Sequence, residues 1–113
     1  MICPYCNKEA PWVENKEKYG RNYGKSYMCY YCKPCDAYVG CHQNTRRPLG
    51  TMANKELREW RMKVHAHIDP LWREQGWDRK KVYRHISQIL GFEYHTGESD
   101  VEVCKKVLQI NFN

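Results

Sequence analysis

The chain has 113 residues and a formal net charge of +6, which is the size of one domain or of a small module with an extension. Leu, Ile, Val and Phe together number only 19, but seven Cys and 13 Tyr and Trp residues argue against disorder, because a metal and large aromatic side chains can replace an aliphatic core. No apolar stretch approaches the ~18 to 20 residues of a membrane span, and none resembles a signal peptide, so we expect a cytoplasmic protein without membrane contact.

The positive charge is concentrated in the first half of the chain. Residues 1–53 carry eight Lys and Arg against four acids, whereas residues 54–113 carry eleven against nine. All the closely spaced cysteines lie in the more basic half, and in a reducing compartment such cysteines are typical metal ligands. This distribution favours a metal-containing module with an acidic partner such as nucleic acid.

Two Cys-x-x-Cys pairs have the spacing and turn residues of zinc knuckles. They are CPYC at residues 3–6 and CKPC at residues 32–35, each with a proline in the turn and an Asn or Asp after it, which tolerates a left-handed backbone. Two thiolates on one tight turn can bind the same ion at about 2.3 Å. The sequence therefore predicts one structural Zn²⁺ per chain, with the ligands Cys3, Cys6, Cys32 and Cys35.

The segment between the knuckles alternates tyrosines with basic residues, in YGRNYGK at residues 19–25. On an exposed hairpin, its aromatic rings could stack on unpaired bases while the cations contact phosphates. The alternative is that the tyrosines merely cover a small core. With two arginines of a later connector, the candidate nucleic-acid-binding residues are Tyr19, Arg21, Tyr23, Lys25, Arg46 and Arg47.

A strand is expected from Ser26 onward and a returning strand at residues 36–40, DAYVG. Alternation along the first strand turns Cys29 away from the face that carries Cys32. Cys29 is therefore interpreted as a packing residue, although Cys29-Tyr-Tyr-Cys32 has knuckle spacing. Knuckles joined by such strands predict a zinc ribbon over residues 1–53.

Cys41 and His42 follow the second strand and are open to three interpretations. In the first interpretation, they form part of an additional metal or redox site, which would need ligands from elsewhere in the chain. Alternatively, Cys41 is a buried residue and His42 a loop residue. Cys41 could also replace Cys35 as the fourth ligand of the single site, because five residues separate them.

The connector RRPLGTMAN, residues 46–54, ends at the boundary of a helical extension over residues 54–113. Asn54 is expected to cap a helix from Lys55, and Pro70 to end or kink it near Asp69. The face predicted to be buried comprises Leu57, Trp60, Val64, Ile68 and Leu71.

Two further helices are predicted in the extension. Asp78 caps the second, Gly91 stops it, and its inward residues are Val82, Ile86, Ile89 and Leu90. Ser99 and Glu102 form a capping box for the third, whose inward residues are Val101, Cys104, Val107 and Leu108. The predicted fold class is α+β, a small zinc ribbon of short antiparallel strands with an extension of about three helices packed on it.

The segment VHAHIDPL, residues 64–71, resembles the opening histidines of HNH nucleases. His65 and His67 would lie about 160° apart on a regular helix, so they cannot bind one ion together. No Asn occurs between Asn54 and Asn111, although these nucleases need one after the histidines. A metal-dependent nuclease is thus a minor alternative. We do not expect the protein to be an enzyme.

Several segments together resemble the zinc-finger-containing domain family, found largely in phages and prophages. The matching segments are CPYC (3–6), YGRNYG (19–24), CKPCDAYVGCH (32–42), RPLGTMAN (47–54), AHIDPLW (66–72) and YHTGESDVEVCKKV (94–107). The resemblance implies that the two Cys pairs bind metal and that Cys29 is peculiar to this sequence. Its recurring pattern also includes Cys41, His42, Gly50, His65, Asp69, Trp72, His95 and Cys104.

Two hypotheses of function follow from these patterns. In the first, the zinc ribbon binds nucleic acid, or a complex that contains it, and a role as a phage accessory protein is one form of this hypothesis. In the second, the protein is an interaction module that binds and modulates a host protein, such as a defence or transcription component, in the host cytoplasm.

Overall fold

In the computed structural model, residues 1–112 are described, and the chain divides into two compact units. The first unit is Met1–Glu56, and the second begins at Leu57. Strands occur in the first unit and the three longer helices follow them, so the predicted α+β class is confirmed. Within residues 1–112, no helix is both long and apolar enough to cross a membrane.

The first unit is built on a three-stranded antiparallel sheet in the order β1-β2-β3. Its strands are β1 (Trp12–Glu14), β2 (Met28–Cys32) and β3 (Ala37–Gly40). The short helix α1 (Lys16–Tyr19) lies in the connection between β1 and β2. The predicted hairpin therefore has a long, partly helical connection instead of a tight turn.

Alternation along the strands separates the cysteines of β2, as predicted. Cys32 pairs with Ala37 and faces the buried core, whereas Cys29 pairs with Gly40 and lies on the other side of the pleat. The core around Cys32 consists of Cys3, Ala10, Ala37, Val39 and Met52. Aliphatic side chains are few in this core, so the cysteines themselves form part of it.

The helices that follow are α2 (Lys55–Arg73), whose first two residues belong to the first unit, α3 (Arg79–Leu90) and α4 (Val101–Leu108), with a short 3-10 helix at Thr96–Glu98. Helix α2 begins where predicted, and four of its five expected inward residues are buried: Leu57, Val64, Ile68 and Leu71. Trp60, the fifth, is partly buried.

The sequence predicted that Pro70 would end or kink α2 near Asp69. The predicted end is wrong, because the helix continues to Arg73. Pro70 lacks an N–H donor, but its carbonyl still accepts a hydrogen bond from the Glu74 N–H at 2.9 Å, so helical hydrogen bonding resumes after it. Leu71, only 3% exposed, holds the last turn against the core. Burial of this side chain outweighs the lost hydrogen bond.

Helix α3 has the predicted caps, but one of its predicted inward residues is exposed. The Asp78 side chain accepts a hydrogen bond from the Lys80 N–H, and Gly91 ends the helix with φ 82°. Ile89 is 53% exposed because the chain returns along a different side of α3, where the Tyr94 N–H donates to Ser87 Oγ at 2.9 Å. The helical period alone does not reveal which side the returning chain covers.

The predicted capping box of α4 is also wrong. Asp100 is the N-cap, and its side chain accepts from the Val103 N–H at 2.9 Å. Ser99 is buried, and its hydroxyl donates to the Thr96 carbonyl instead, at 2.7 Å. Cys104 lies in the core as expected, with no exposed surface.

Replacing Asp100 tests this assignment of the cap. We expect Asp100→Ala to lower the free energy of unfolding by about 1 kcal/mol, because the Val103 N–H loses its acceptor. Urea unfolding followed by helical circular dichroism measures the change, with Glu102→Ala as the matched control. A larger loss for Glu102→Ala than for Asp100→Ala would support the capping box and contradict the assignment.

Candidate functional site

Four cysteine sulphurs of the first unit converge beside the turn between β2 and β3. The Sγ atoms of Cys3, Cys6, Cys32 and Cys35 all lie within 4.8 Å of one another. Cys6 Sγ and Cys32 Sγ are 3.7 Å apart, which matches the edge of about 3.8 Å for a tetrahedron with zinc–sulphur bonds of 2.3 Å. The sulphurs therefore fit a tetrahedral zinc ion.

Both pairs of ligands lie on turns whose backbone fits a zinc knuckle. The Asn7 N–H donates to the Cys3 carbonyl at 2.9 Å, and the Asp36 N–H donates to the Lys33 carbonyl at 3.1 Å. Asn7 and Asp36 have φ of 62° and 49°, in the left-handed region that Asn and Asp tolerate. The residue after each knuckle thus closes the turn as predicted.

The electrostatics of the cluster favour a cation among the sulphurs. Burial and the neighbouring thiols raise the pKa of Cys35 to about 12, because four thiolates cannot ionise together without a positive charge. The pKa of Cys6 is lowered, chiefly by a hydrogen bond from the Lys8 backbone. Bound Zn²⁺ stabilises the thiolates directly and so removes this obstacle to ionisation.

A family model for zinc-finger-containing domains matches residues 1–113. The chain belongs to this family. No curated protein and no solved structure matches it. Family membership and the four-cysteine cluster together establish this zinc-finger-containing domain as a zinc-binding module with one structural ion.

The structure brings Cys35, and not Cys41, into the cluster. Cys41 and Cys29 are almost fully buried, and burial raises the pKa of both, to about 11 for Cys29. His42 is exposed, and its backbone N–H donates to the Arg47 carbonyl at 2.9 Å. In the part of the chain that the structure describes, Cys41 and His42 belong to no group of three or more metal ligands.

The two histidines of α2 are likewise outside the four-cysteine cluster. His67 is partly buried, and its Nε2 lies 2.9 Å from the Ile110 carbonyl oxygen. His65 is exposed, with Nδ1 4.0 Å from a carboxylate oxygen of Asp69. Within residues 1–112, neither histidine belongs to a group of three or more possible metal ligands. The segment that resembles HNH nucleases therefore has no metal site in the described part of the chain.

The loop between β1 and β2, residues 20–27, is held by a buried asparagine that the sequence analysis did not single out. Asn15 is 4% exposed. Its side chain accepts from the Tyr23 N–H at 3.0 Å and donates to the Tyr23 carbonyl at 2.9 Å. These two hydrogen bonds fix the loop without using the tyrosine ring.

The predicted tyrosines are neither fully buried nor free of packing. Tyr19 and Tyr23 are 46% and 45% exposed. Their rings meet edge to face at 5.3 Å, and Tyr19 also meets Tyr38 at 5.8 Å. The Arg21 guanidinium lies 4.7 Å from the centroid of the Tyr23 ring. Each of these tyrosines thus packs against a neighbouring ring while close to half of the residue stays exposed.

The connector after β3 carries Arg46 and Arg47, the two arginines that were predicted to bind nucleic acid. The Arg46 guanidinium lies 4.3 Å from the Trp12 ring centroid, and the Arg46 carbonyl accepts from the Tyr30 hydroxyl at 2.9 Å. Arg46 and Lys25 line one cavity, although 20 residues separate them along the chain. Arg47 is exposed.

We use the term loop face for the surface formed by five of the six predicted residues and their neighbours; the sixth, Arg47, lines neither of the two cavities beside the loop. Trp12, Tyr27, Tyr38 and Leu49 were missed because their proximity to the loop depends on the strand register and the connector. The loop face consists of Trp12, Tyr19, Arg21, Tyr23, Lys25, Ser26, Tyr27, Tyr38, Arg46 and Leu49.

A direct ion pair connects α1, the helix that leads into the loop, to the second knuckle. Lys18, in α1, donates to a carboxylate oxygen of Asp36 at 2.7 Å. Asp36 is the residue that closes the turn after Cys35. Because α1 leads into the loop, the geometry of the knuckle helps to set the position of the loop.

Replacing single cysteines separates ligands from packing residues. We expect Cys3→Ala, Cys6→Ala, Cys32→Ala and Cys35→Ala to lose the zinc ion and the fold of the first unit, because ion binding and folding are coupled in small zinc modules. Metal analysis of the purified variants, together with circular dichroism, checks this result.

The buried cysteines outside the cluster provide matched controls. Cys29→Ala, Cys41→Ala and Cys104→Ala should each retain about one zinc per chain, whatever their cost in packing. Zinc loss on replacement of Cys41 but not of Cys35 would contradict the ligand set.

Proposed function

We propose that this zinc-finger-containing domain binds nucleic acid, or a complex that contains it, through the loop face. The observation that carries the proposal is the cavity shared by Lys25 and Arg46, beside exposed aromatic rings. Cations contact phosphates and flat rings contact bases, so both parts of a nucleotide find complementary groups there.

The charge around the loop face supports an anionic partner. Glu14 lines the same cavity, but the Lys16 Nζ lies 3.5 Å from its carboxylate and the Asn22 side chain donates to it at 3.0 Å. The Asn22 hydrogen bond and the Lys16 charge lower the pKa of Glu14 and so favour its ionised form, while the positive charge of Lys16 offsets the repulsion between Glu14 and a phosphate. Arg21, Lys25 and Arg46 then leave the surface net positive.

The zinc ion has a structural role in this proposal. It holds the two knuckles, and thereby the strands and the Lys18–Asp36 pair that support the loop. No step of catalysis is assigned to it, since all four of its ligands are protein thiolates and such sites are typically structural.

A second candidate function is binding of a host protein, with the chain acting as a phage accessory module. The observation that favours it is an apolar cavity of about 310 Å³ beside the first knuckle. Its apolar lining includes Pro11, Val13, Tyr31 and Pro34, which suits an aliphatic or aromatic side chain of a partner. A stoichiometric partner retained from a nuclease-treated host lysate would favour this alternative.

Salt-dependent binding tests the nucleic-acid proposal. We expect the zinc-loaded protein to bind 5′-labelled oligonucleotides at low salt, measured by fluorescence anisotropy. Arg21→Gln, Lys25→Gln and Arg46→Gln should each weaken binding and reduce the slope of log K against log salt by ~0.7 to 0.9, because each removes one phosphate contact.

Lys33→Gln is the matched control, because it removes the same charge from the same unit. Lys33 lines the apolar cavity, which has no residue in common with the cavity of Lys25 and Arg46. Absence of binding to single-stranded and duplex probes at low salt would refute the proposed function. So would an unchanged slope in all three loop-face variants.

A further inference from the structure

We propose that the loop face binds single-stranded nucleic acid, with two neighbouring unpaired bases in two cavities on either side of Lys25 and Ser26. This inference rests on the proposed function and specifies its ligand. It follows from the arrangement of the two cavities, from the rings that line them, and from the hydrogen bonds that hold the loop in place.

The two cavities share one wall. A cavity of about 630 Å³ and one of about 580 Å³ are both lined by Lys25 and Ser26. Either volume exceeds the space that a single base requires, and both cavities are open to solvent. By the strand register, Trp12 and Tyr38 lie on opposite faces of the sheet, so the two cavities lie on either side of the loop. A strand that crosses this wall would pass the phosphate between two bases over Lys25.

The larger cavity, which we call the tyrosine cavity, is lined by Tyr19, Tyr23, Tyr38 and Leu49. Leu49 is 59% exposed, so its side chain is accessible beside the rings. A lining of aromatic rings and an aliphatic side chain suits a flat, weakly polar ligand. The guanidinium group of Arg21 lies over the Tyr23 ring and adds a positive charge beside this cavity.

The smaller cavity, which we call the tryptophan cavity, is lined by Trp12, Tyr27, Asn44, Thr45 and Arg46. Tyr27 is 51% exposed, and the guanidinium group of Arg46 lies over the Trp12 ring. This cavity thus combines rings for stacking, polar side chains that can contact the edge of a base, and a cation that can contact the nucleic-acid backbone. A second unpaired base would therefore find in the tryptophan cavity the same kinds of groups that the first base finds in the tyrosine cavity.

Hydrogen bonds hold the wall between the cavities in place. The Asn15 side chain donates to the Ser26 carbonyl at 3.4 Å and also fixes the backbone of Tyr23, and the Lys16 N–H donates to the Asn22 side chain at 3.1 Å. A loop that is already ordered loses little conformational entropy on binding. The rings of Tyr23 and Tyr27 are therefore presented to a ligand without a prior rearrangement of the chain.

Two aromatic-lined cavities select for a single strand, because the face of a base in a duplex is covered by its neighbours. Opening a duplex to expose two bases would cost unpairing and unstacking energy. A surface that bound only phosphates would need no cavities and would accept duplexes equally. The cavities therefore indicate that base stacking is part of recognition.

The test uses the full zinc-loaded chain and four anisotropy probes at low salt. The probes are a 12-nucleotide deoxythymidine strand, the corresponding uridine strand, a fully abasic strand of equal length and a 12-base-pair hairpin duplex. We expect the abasic strand to bind about 30-fold more weakly than the better of the two base-containing strands, from the loss of two stacked bases. The duplex should also bind more weakly, and the preferred sugar identifies RNA or DNA as the ligand.

Variants of one tyrosine in each cavity test the assignment of the two bases. Tyr23→Leu and Tyr27→Leu should each weaken single-strand binding about 5-fold or more and leave abasic-strand binding unchanged. Phe92→Leu is the control, since Phe92 is 47% exposed and lies in the second unit. Zinc content of each variant verifies that its fold is retained.

The outcomes distinguish this inference from the proposed function. Equal binding of the abasic strand, the duplex and the base-containing strands would overturn the two-base inference and leave nucleic-acid binding intact. An effect of Tyr23→Leu without one of Tyr27→Leu would also overturn it, because only one cavity would then hold a base. Failure of every probe to bind would refute both proposals.

Discussion

Four thiolates within 4.8 Å of one another repel, and only a bound cation makes this arrangement favourable. The first unit depends on this interaction because its aliphatic core is small and its ligands are also core residues. Cys3 and Cys32 are buried beside Ala37, Val39 and Met52. Zinc therefore supplies stability that a larger domain would obtain from burying Leu and Ile side chains. It also joins the first knuckle to the turn between β2 and β3.

The influence of the zinc site extends from the knuckles to the surface that we propose binds nucleic acid. Lys18 pairs with Asp36 at the second knuckle, and the helix that carries Lys18 leads into the loop fixed by Asn15. Sheet register then brings Trp12 and the connector with Arg46 beside this loop. A structural metal can thus determine the position of a binding surface without contacting the ligand.

Features set by neighbouring residues were predictable from the sequence, whereas those set by tertiary packing were not. Cys32 and Cys35 could be identified as ligands because a tight turn with Asp36 after it has few alternatives. The prediction for α4 failed because Ser99 became buried, which left Asp100 to cap the helix. The cavities could not be predicted, since residues distant in sequence meet there only through the strand register and the path of the connector.

Removal of the metal tests the central role of zinc most directly. Nuclear magnetic resonance of the ¹⁵N-labelled chain can follow the amides of β2 and β3 while a chelator removes the ion. The account predicts that these amides lose their chemical-shift dispersion and their protection from hydrogen exchange, and regain both when zinc is restored. A sheet that stayed dispersed and protected in a sample free of metal would contradict it.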